Sequence, residues 1–400
     1  MIRLVGSIGT MNNKTINPTL RVLHRELRRI QLQPRYPIIL TLGIIFSFIF
    51  FATLMQEGLP QRMPIGVVDM DHSYLSRRLC HELNATQGVH VEAVYDNHAE
   101  ARKAMQCGEI FAFYEIPPDT YNELLQFHAP HLGLYSNNAY LLAGTLSYKQ
   151  LATMGMLASG AVQREILRKK GYDEEQIMGL IMPVELDTHP IGNPWTNYRI
   201  YLMTTLIPAI IAFISQLHTV YLISRERQER TFRNWMRKGG NNTVKALVGK
   251  LLPYTVHYSF LVLLANFIMF GLMHFPMNGN WLLMVLVSLL LIPAAQCAGV
   301  LISGCIPDPP LAMGICAVYA ALSFSLSGFS FPVEAMPGFF GSLSWLYPIR
   351  HYYLAYRDIA IFGNGLGQCW VSIASLLLFG LAFLIGAKMM EINLNKKQLS

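Results

Sequence analysis

The chain has 400 residues, of which 52% are hydrophobic and only 14% are charged. Soluble domains carry about 25% charged residues, so this composition excludes a soluble domain and indicates a membrane protein that crosses the bilayer several times. The net charge of +7 is segregated, because 18 of the 31 lysines and arginines lie in residues 1–37, 224–250 and 388–400, whereas residues 56–197 hold 10 basic and 17 acidic residues. This asymmetry is typical of membrane topology and not of a nucleic-acid surface.

The N-terminal region predicts a helix on the membrane surface. Residues 1–15 are predicted to be disordered, and Asn17 followed by Pro18 is a typical helix start. The next turns combine an apolar stripe with basic residues: Leu20, Leu23, Leu27 and Ile30 beside Arg21, Arg25, Arg28 and Arg29. This pattern predicts an amphipathic helix on the cytoplasmic face. Flanking charge alone would explain the arginines but not the leucines.

Residues 38–55 are uncharged and long enough to span the bilayer. A cleavable signal peptide is not expected, because the run follows 37 residues and no A-x-A site comes after it. The N-terminus is therefore predicted to be cytoplasmic, and the chain to leave the membrane near residue 56.

Residues 56–197 predict an external α/β domain. Strand patterns at 65–68, 89–94, 110–114 and 132–135 alternate with helical patterns at 73–83, 99–105 and 119–127, followed by helices at 139–170 and 174–182. Cys80 and Cys107 could form a disulfide in an oxidising compartment, or remain two unpaired thiols. The histidines of this region show no metal-ligand spacing, so no metal site is predicted.

Five further spans are predicted, at residues 201–223, 251–273, 281–306, 311–331 and 369–387. The fold class is thus an α-helical polytopic membrane protein of six transmembrane helices, one before and five after the inserted external domain. Both termini are then cytoplasmic, in agreement with the lysines after residue 387. Trp195, Tyr198 and Trp281 fall at predicted external interfaces.

Residues 332–366 predict an outer re-entrant region. Pro332, Pro337 and Pro348 divide an apolar stretch, 336–347, that includes Trp345 and is too short to cross the membrane. The following helix, 349–361, carries Arg350 among tyrosines and suits the outer headgroup level. An external loop packed on the soluble domain is the alternative.

The basic segment 224–250 is predicted to be a cytoplasmic docking loop. It holds eight lysines and arginines but only two acids, Glu226 and Glu229, between two apolar spans. Residues 226–232 predict a short helix that continues the preceding span. We interpret the segment as the place where a soluble partner acts.

Catalytic and phosphate-binding motifs are absent from the sequence, so neither enzymatic activity nor a cofactor of its own is predicted. The cores of the five later spans contain no Asp, Glu, Lys or Arg, which argues against an ion-coupled carrier. Neutral polar residues in the spans could line a substrate path or form interhelical hydrogen bonds: Gln216, His218, Asn266, Gln296 and Ser327.

Several stretches carry a resemblance to the permease subunits of ABC-2 type exporters. They are NPWTNY at 193–198, RERQERTF at 225–232, KLLPY at 250–254 and GFSFP at 328–332, followed by Met-Pro at 336–337 and Tyr-Pro at 347–348. The order of one span, an external domain and five spans is also similar to that family. One position departs from the family, which usually has Gly-Thr where Arg230-Thr231 stands.

The resemblance implies a permease that pairs with a second copy or a homologous permease in the inner membrane, and that binds a separate ATPase carrying ATP and Mg. The implied ATPase-coupling residues are Leu23, Leu27, Glu226, Glu229, Thr231, Phe232, Arg233 and Trp235. A periplasmic adaptor and membrane lipid are further implied partners, and the substrate is hydrophobic or amphiphilic. The alternative function is a membrane receptor or assembly protein whose external domain binds a ligand or adaptor without transport.

Overall fold

The structure is a computed structural model that describes residues 17–126, 128–184, 186–194 and 196–399. Residues 1–15, predicted to be disordered, and Trp195, predicted at an interface, lie outside the described residues. The chain divides into two compact units. The helical unit comprises Met1–Gln56 and Pro190–Ser400, and the sheet unit comprises Glu57–His189.

The helical unit begins with α1, Pro18–Leu32, and α2, Arg35–Leu54. The Asn17 side chain accepts a hydrogen bond from the backbone N–H of Thr19, and Pro18 occupies the first turn, as the sequence predicted. Leu20 and Leu27 are exposed, whereas Val22 and Glu26 are buried. The inward face of α1 therefore carries a charge, and not only apolar residues.

The sheet unit contains four strands close to the predicted positions: β1 Met63–Asp69, β2 Val89–Tyr95, β3 Ala112–Ile116 and β4 Gly133–Ser136. Their order is β2-β1-β3-β4, with β1 parallel to β2 and β3, and β4 antiparallel to β3. The helices are α3 Tyr74–Asn84, α4 His98–Cys107, α5 Thr120–Leu125, α6 Leu141–Lys169 and α7 Glu174–Ile181.

The disulfide considered from the sequence is not formed, because Cys80 and Cys107 are both free. Cys80 lies on α3, which packs with α6 on one face of the sheet, whereas Cys107 ends α4, which packs on the opposite face. Alternate residues of a strand point to opposite faces, so the sheet itself separates the two thiols. Burial, and to a lesser extent Asp69, raises the pKa of Cys80, which keeps its thiol protonated.

Five helices among the described residues are long and apolar enough to cross a membrane. They are α2, α8 Tyr198–Gln228, α10 Thr243–Asn266 with the π-helix Phe267–Leu272, α11 Trp281–Cys305, and the first 29 residues of α15, Leu366–Leu399. The short helix α9, Phe232–Lys238, lies between α8 and α10.

The span predicted at 311–331 is a shorter helix, α12 Pro309–Ser325. Its 17 residues correspond to a rise of about 26 Å, less than the roughly 30 Å of a bilayer core. The helix ends before Gly328, whose φ of +87° turns the chain.

Helices α13, Gly338–Leu343, and α14, Pro348–Tyr356, form the region between α12 and α15, and a second π-helix, Arg357–Ile361, follows α14. Helix α14 is packed into the helical unit, because Ile349, Tyr352 and Ala355 are buried where it contacts α11 and α15, and its position at the outer headgroup level stays a prediction. These residues follow helical spacing and supply an apolar face that the tyrosines and arginines obscure in the sequence.

Candidate coupling site

Helix α1, the C-terminal end of α8 and the first turns of α10 meet at one end of the helical unit. Gly249 of α10 allows α1 to approach closely. A Cβ atom at this position would lie 2.4 Å from the carbonyl oxygen of Thr19 and 2.9 Å from Cβ of Val22. Glycine is therefore required for the contact between these two helices.

A charge cluster, formed by Arg25, Glu26, Arg29, Glu226 and Lys250, lies inside this junction. Nζ of Lys250 is 2.8 Å from Oε1 of Glu226 and 3.1 Å from Oε1 of Glu26, and all three side chains are 0% exposed. Because each comes from a different helix, the two ion pairs join α1, α8 and α10.

Glu226 is the centre of the charge cluster. Nη2 of Arg25 donates to both of its carboxylate oxygens at 2.9 Å, and Nη1 of Arg29 donates to Oε1 at 2.7 Å. The hydroxyl of Thr231 donates to Oε2 at 2.5 Å. Two buried carboxylates thus face three cations, which satisfies the requirement that buried charges be paired.

Glu229 lies at the exposed edge of the same network. It accepts hydrogen bonds from Arg29 and, at 2.6 Å, from Nε of Arg225. Burial raises the pKa of Glu229, but the two arginines lower it by more, so the net shift is downward. The carboxylate therefore stays ionised below the usual range for glutamate.

Trp235 fixes α9 against α10. Its side chain is 0% exposed, and its indole Nε1 donates to the carbonyl oxygen of Ala246 at 3.2 Å. Nζ of Lys250 lies 5.1 Å from the centre of the indole ring, within the range of a cation–π contact. The ring therefore closes one side of the charge cluster.

Arg227 connects the end of α8 to the end of α11. Its Nη2 donates to the carbonyl oxygen of Ser303 at 2.7 Å, and its Nη1 donates to that of Ile306 at 3.0 Å. Arginine is favourable here because the last carbonyls of a helix have no partner within the helix. Displacement of α8 would consequently also move α11.

The predicted coupling residues divide into two groups. Glu226, Phe232 and Trp235 are buried, and Glu226 and Trp235 hold the junction together from inside, while their part in coupling stays a prediction. Arg233 and Leu27 are exposed, Leu23 and Thr231 are half-buried, and the Glu229 side chain is 40% exposed.

The partners of Glu226 were missed from the sequence. Lys250 was counted with the basic loop, and Arg25 and Arg29 were assigned to the basic face of a helix on the membrane surface. One indication was available: Glu26 lies one helical turn after Val22 and one before Ile30, on the face that packs.

Arg230 occupies a position that favours glycine. Its φ is +60°, and the N–H groups of Arg230 and Thr231 donate to the carbonyls of Arg227 and Glu226 at 3.2 and 3.0 Å. This is the bonding of a Schellman helix end, whose left-handed residue is usually glycine. The structure thus explains why Gly-Thr is usual here.

Arg230→Gly is expected to raise the free energy of unfolding by about 0.5–1 kcal/mol, because relief of the left-handed strain exceeds the entropy that glycine loses. The measurement is unfolding of the purified protein in detergent. The control, Arg28→Gly at an exposed position in the interior of α1, is expected to lose about 1 kcal/mol. Equal losses in both variants would contradict this account.

The neutral polar residues predicted to line a path are not all together. Gln216 lines a small cavity of about 20 Å³ with Tyr319, Ser323, Pro348 and Ile349, and its Nε2 atom is buried without a partner. His218 lines a different small cavity, of about 20 Å³, near α1. The others make hydrogen bonds within or between helices: Asn266 to Ser288 at 2.7 Å, Gln296 to Thr255 at 2.6 Å, and Ser327 to the Phe324 carbonyl at 2.8 Å.

The predicted gate residues start the short elements between α12 and α15. Pro332 and Pro337 immediately precede a 3₁₀ turn and α13, and Pro348 is the first residue of α14. Trp345 is exposed, whereas Arg350 is buried beside it. In the described part of the chain, no group of His, Cys, Asp or Glu is arranged to hold a metal ion.

Comparison with known proteins identifies the family. The profile of the ABC-2 family transporter protein matches residues 36–387. The chain is 24% identical over 363 residues to the probable multidrug ABC transporter permease YbhR of Escherichia coli K12, covering 89% of this chain and 93% of that protein.

It is also 21% identical over 374 residues to the E. coli K12 permease YbhS, covering 92% of this chain and 93% of YbhS. ABC transporter G family member 23 of Dictyostelium discoideum is 22% identical over 81% of this chain and 44% of its own length. The chain is therefore a multi-pass membrane protein that belongs to the ABC-2 transporter permease family.

Proposed function

We propose that this chain is the membrane subunit of an exporter powered by ATP hydrolysis on a separate ATPase subunit, which carries the ATP and Mg. In this proposal two permeases pair in the inner membrane, α12 crosses it as a sixth and shorter span, both termini are cytoplasmic, and residues 56–197 are external. The single observation that carries it is the charge cluster. A buried network that joins α1, α8 and α10 is suited to transmitting an external force.

The ATPase would bind the exposed face of α9. Arg233, Arg237 and Lys238 are exposed on this helix, so an acidic surface would be complementary to it. Trp235 anchors the same helix to α10. At the end of α8, Glu226 binds Arg29 of α1, and Arg227 binds the Ser303 carbonyl of α11. Movement of α9 would then shift these helices together.

The substrate path would run beside Gln216, where the helices leave a cavity of about 20 Å³ that would have to widen during transport. Most of its lining is apolar, with the amide of Gln216 and the hydroxyls of Tyr319 and Ser323 as polar groups. Ligand sites typically combine apolar walls with a few polar groups. This combination suits the hydrophobic part of an amphiphile, such as a drug or lipid, that offers one hydrogen-bond acceptor to the free Nε2 of Gln216.

The double charge reversal Arg233→Glu/Arg237→Glu tests the proposal. We expect it to abolish co-purification with the ATPase subunit encoded nearest to this gene, and to abolish substrate-stimulated ATP hydrolysis. Thermal stability should not change, because both side chains are exposed. The matched control, Arg102→Glu/Lys103→Glu, reverses two exposed charges on α4 of the sheet unit. Normal co-purification and hydrolysis in the α9 variant would refute docking at α9.

A further inference from the structure

Arg350 is a buried cation with no carboxylate in direct contact, because Glu334, the acid whose charge acts on it, is exposed and lies beyond 4.0 Å. It lies in the first turn of α14 and is only 7% exposed. Its Nη1 donates to two neutral oxygens, the Ser344 hydroxyl and, at 3.3 Å, the Gly341 carbonyl. Nε is buried with no partner, and no carboxylate of a described residue lies within 4.0 Å of the guanidinium.

The charge cluster shows how unusual this is. Lys250, equally buried, contacts two carboxylates. A buried charge without a counter-ion is unfavourable, because it loses its hydration without gaining an ion pair. The position at a helix N-terminus adds to this cost, because the peptide dipoles there also favour an anion. Arg350 and the first turn of α14 therefore have no anion in contact among the described residues, and Glu334 compensates the charge only from beyond 4.0 Å.

The surroundings of Arg350 are apolar and accessible. Phe339, Phe340, Trp345 and Leu346 are 72%, 46%, 49% and 57% exposed, and the guanidinium carbon of Arg350 lies 4.8 Å from the centre of a Trp345 ring. A hydrogen bond of 3.0 Å between Nε2 of His351 and the Trp345 carbonyl holds this segment against α14. An anionic site with an exposed aromatic border fits an amphiphile better than a free anion.

The site lies at the opposite end of the helical unit from the charge cluster. Tyr201, in the first turn of α8, and Tyr353 of α14 both contact the ring of Phe329, with ring centres 4.3 and 6.0 Å apart. The charge cluster lies 25 residues further along α8, at Glu226. In a membrane-spanning bundle, such an end position corresponds to the headgroup level of one leaflet.

We propose that Arg350 binds the phosphate of an anionic phospholipid, whose acyl chains lie against Phe339, Phe340 and Trp345. The guanidinium provides the charge-assisted hydrogen bonds that a phosphate accepts. The site is independent of ATPase docking, so it can be measured on the purified full-length chain without the ATPase. Failure of the proposed transport function would leave this prediction intact.

The test is the thermal stability of the detergent-solubilised chain during titration with phosphatidylglycerol. We expect the lipid to raise Tm, and Arg350→Gln to require about tenfold more lipid for the same rise. Arg237→Gln, at the other end, is the matched control and should titrate like wild type. A diacylglycerol with the same acyl chains and inorganic phosphate should both have little effect.

Two outcomes would overturn the proposal. An unchanged titration in Arg350→Gln would exclude this residue, and stabilisation by inorganic phosphate alone would identify a free-anion site instead. If Arg350→Gln does not fold, brominated phosphatidylglycerol provides a second test, since bromine quenches nearby tryptophan fluorescence. Quenching should be smaller in Trp345→Phe than in the wild-type chain, and equal quenching would contradict the site.

Discussion

Replacement of Lys250 by methionine is expected to lower the free energy of unfolding by about 3–5 kcal/mol, because it leaves two buried carboxylates with one cation fewer. Arg25 and Arg29 would remain on Glu226 at 2.9 and 2.7 Å, but Glu26 would keep only Nη1 of Arg25, at 3.6 Å. The methionine side chain fills a similar volume, so the loss measures the charge and not a cavity. Denaturant unfolding of the purified protein gives the free energy.

Lys245→Met is the matched control for this experiment. Lys245 lies on the same helix, α10, but its side chain is exposed and makes no ion pair among the described residues. Its replacement should change stability by less than about 0.5 kcal/mol. In the double variant Glu26→Gln/Lys250→Met, much of the loss should be recovered, because the unpaired carboxylate is gone. Equal stability of Lys250→Met and Lys245→Met would show that the charge cluster does not hold the junction.

The general architecture could be predicted because apolar runs and short strands are local patterns. Strand β1 could be placed from the apolar residues Ile65, Val67 and Val68. The spans could be placed from uninterrupted apolar runs, because the bilayer thickness sets the length that a span must have. The shortened α12 could not be predicted, since apolar residues continue beyond Ser325 and only the turn at Gly328 ends the helix.

Apart from the position of Glu26, the charge cluster could not be predicted, for a different reason. Arg25 and Glu226 are separated by 201 residues in sequence, and nothing in either segment identifies its partner. A glutamate in a basic loop is usually exposed. Glu226 is buried because α1 covers it, and the sequence of the loop does not show this contact. The same holds for Arg350, where the absence of a carboxylate in direct contact is a property of the packed structure.

The second large effect on stability is expected at Gly249, where α10 contacts α1 most closely. Gly249→Leu should displace α1 from α10, since even the first side-chain atom would lie 2.4 Å from the Thr19 carbonyl. Overpacking alone costs about 1–3 kcal/mol. The displacement would also separate Glu26 from Lys250, so we expect a total loss comparable to that of Lys250→Met.

The readout is trypsin cleavage of the detergent-purified protein together with its unfolding free energy. Arg25 and Arg29 of α1 are held by Glu226 in the native protein, so cleavage after them should be slow in wild type and fast in Gly249→Leu. Gly380→Leu on α15 is the control, because no atom lies within 4 Å of its Cβ position. If the Gly249 variant resisted cleavage as wild type does, α1 would be held by contacts other than those with α10 and the charge cluster. Force applied at α9 would then have no route to α1 through Glu226.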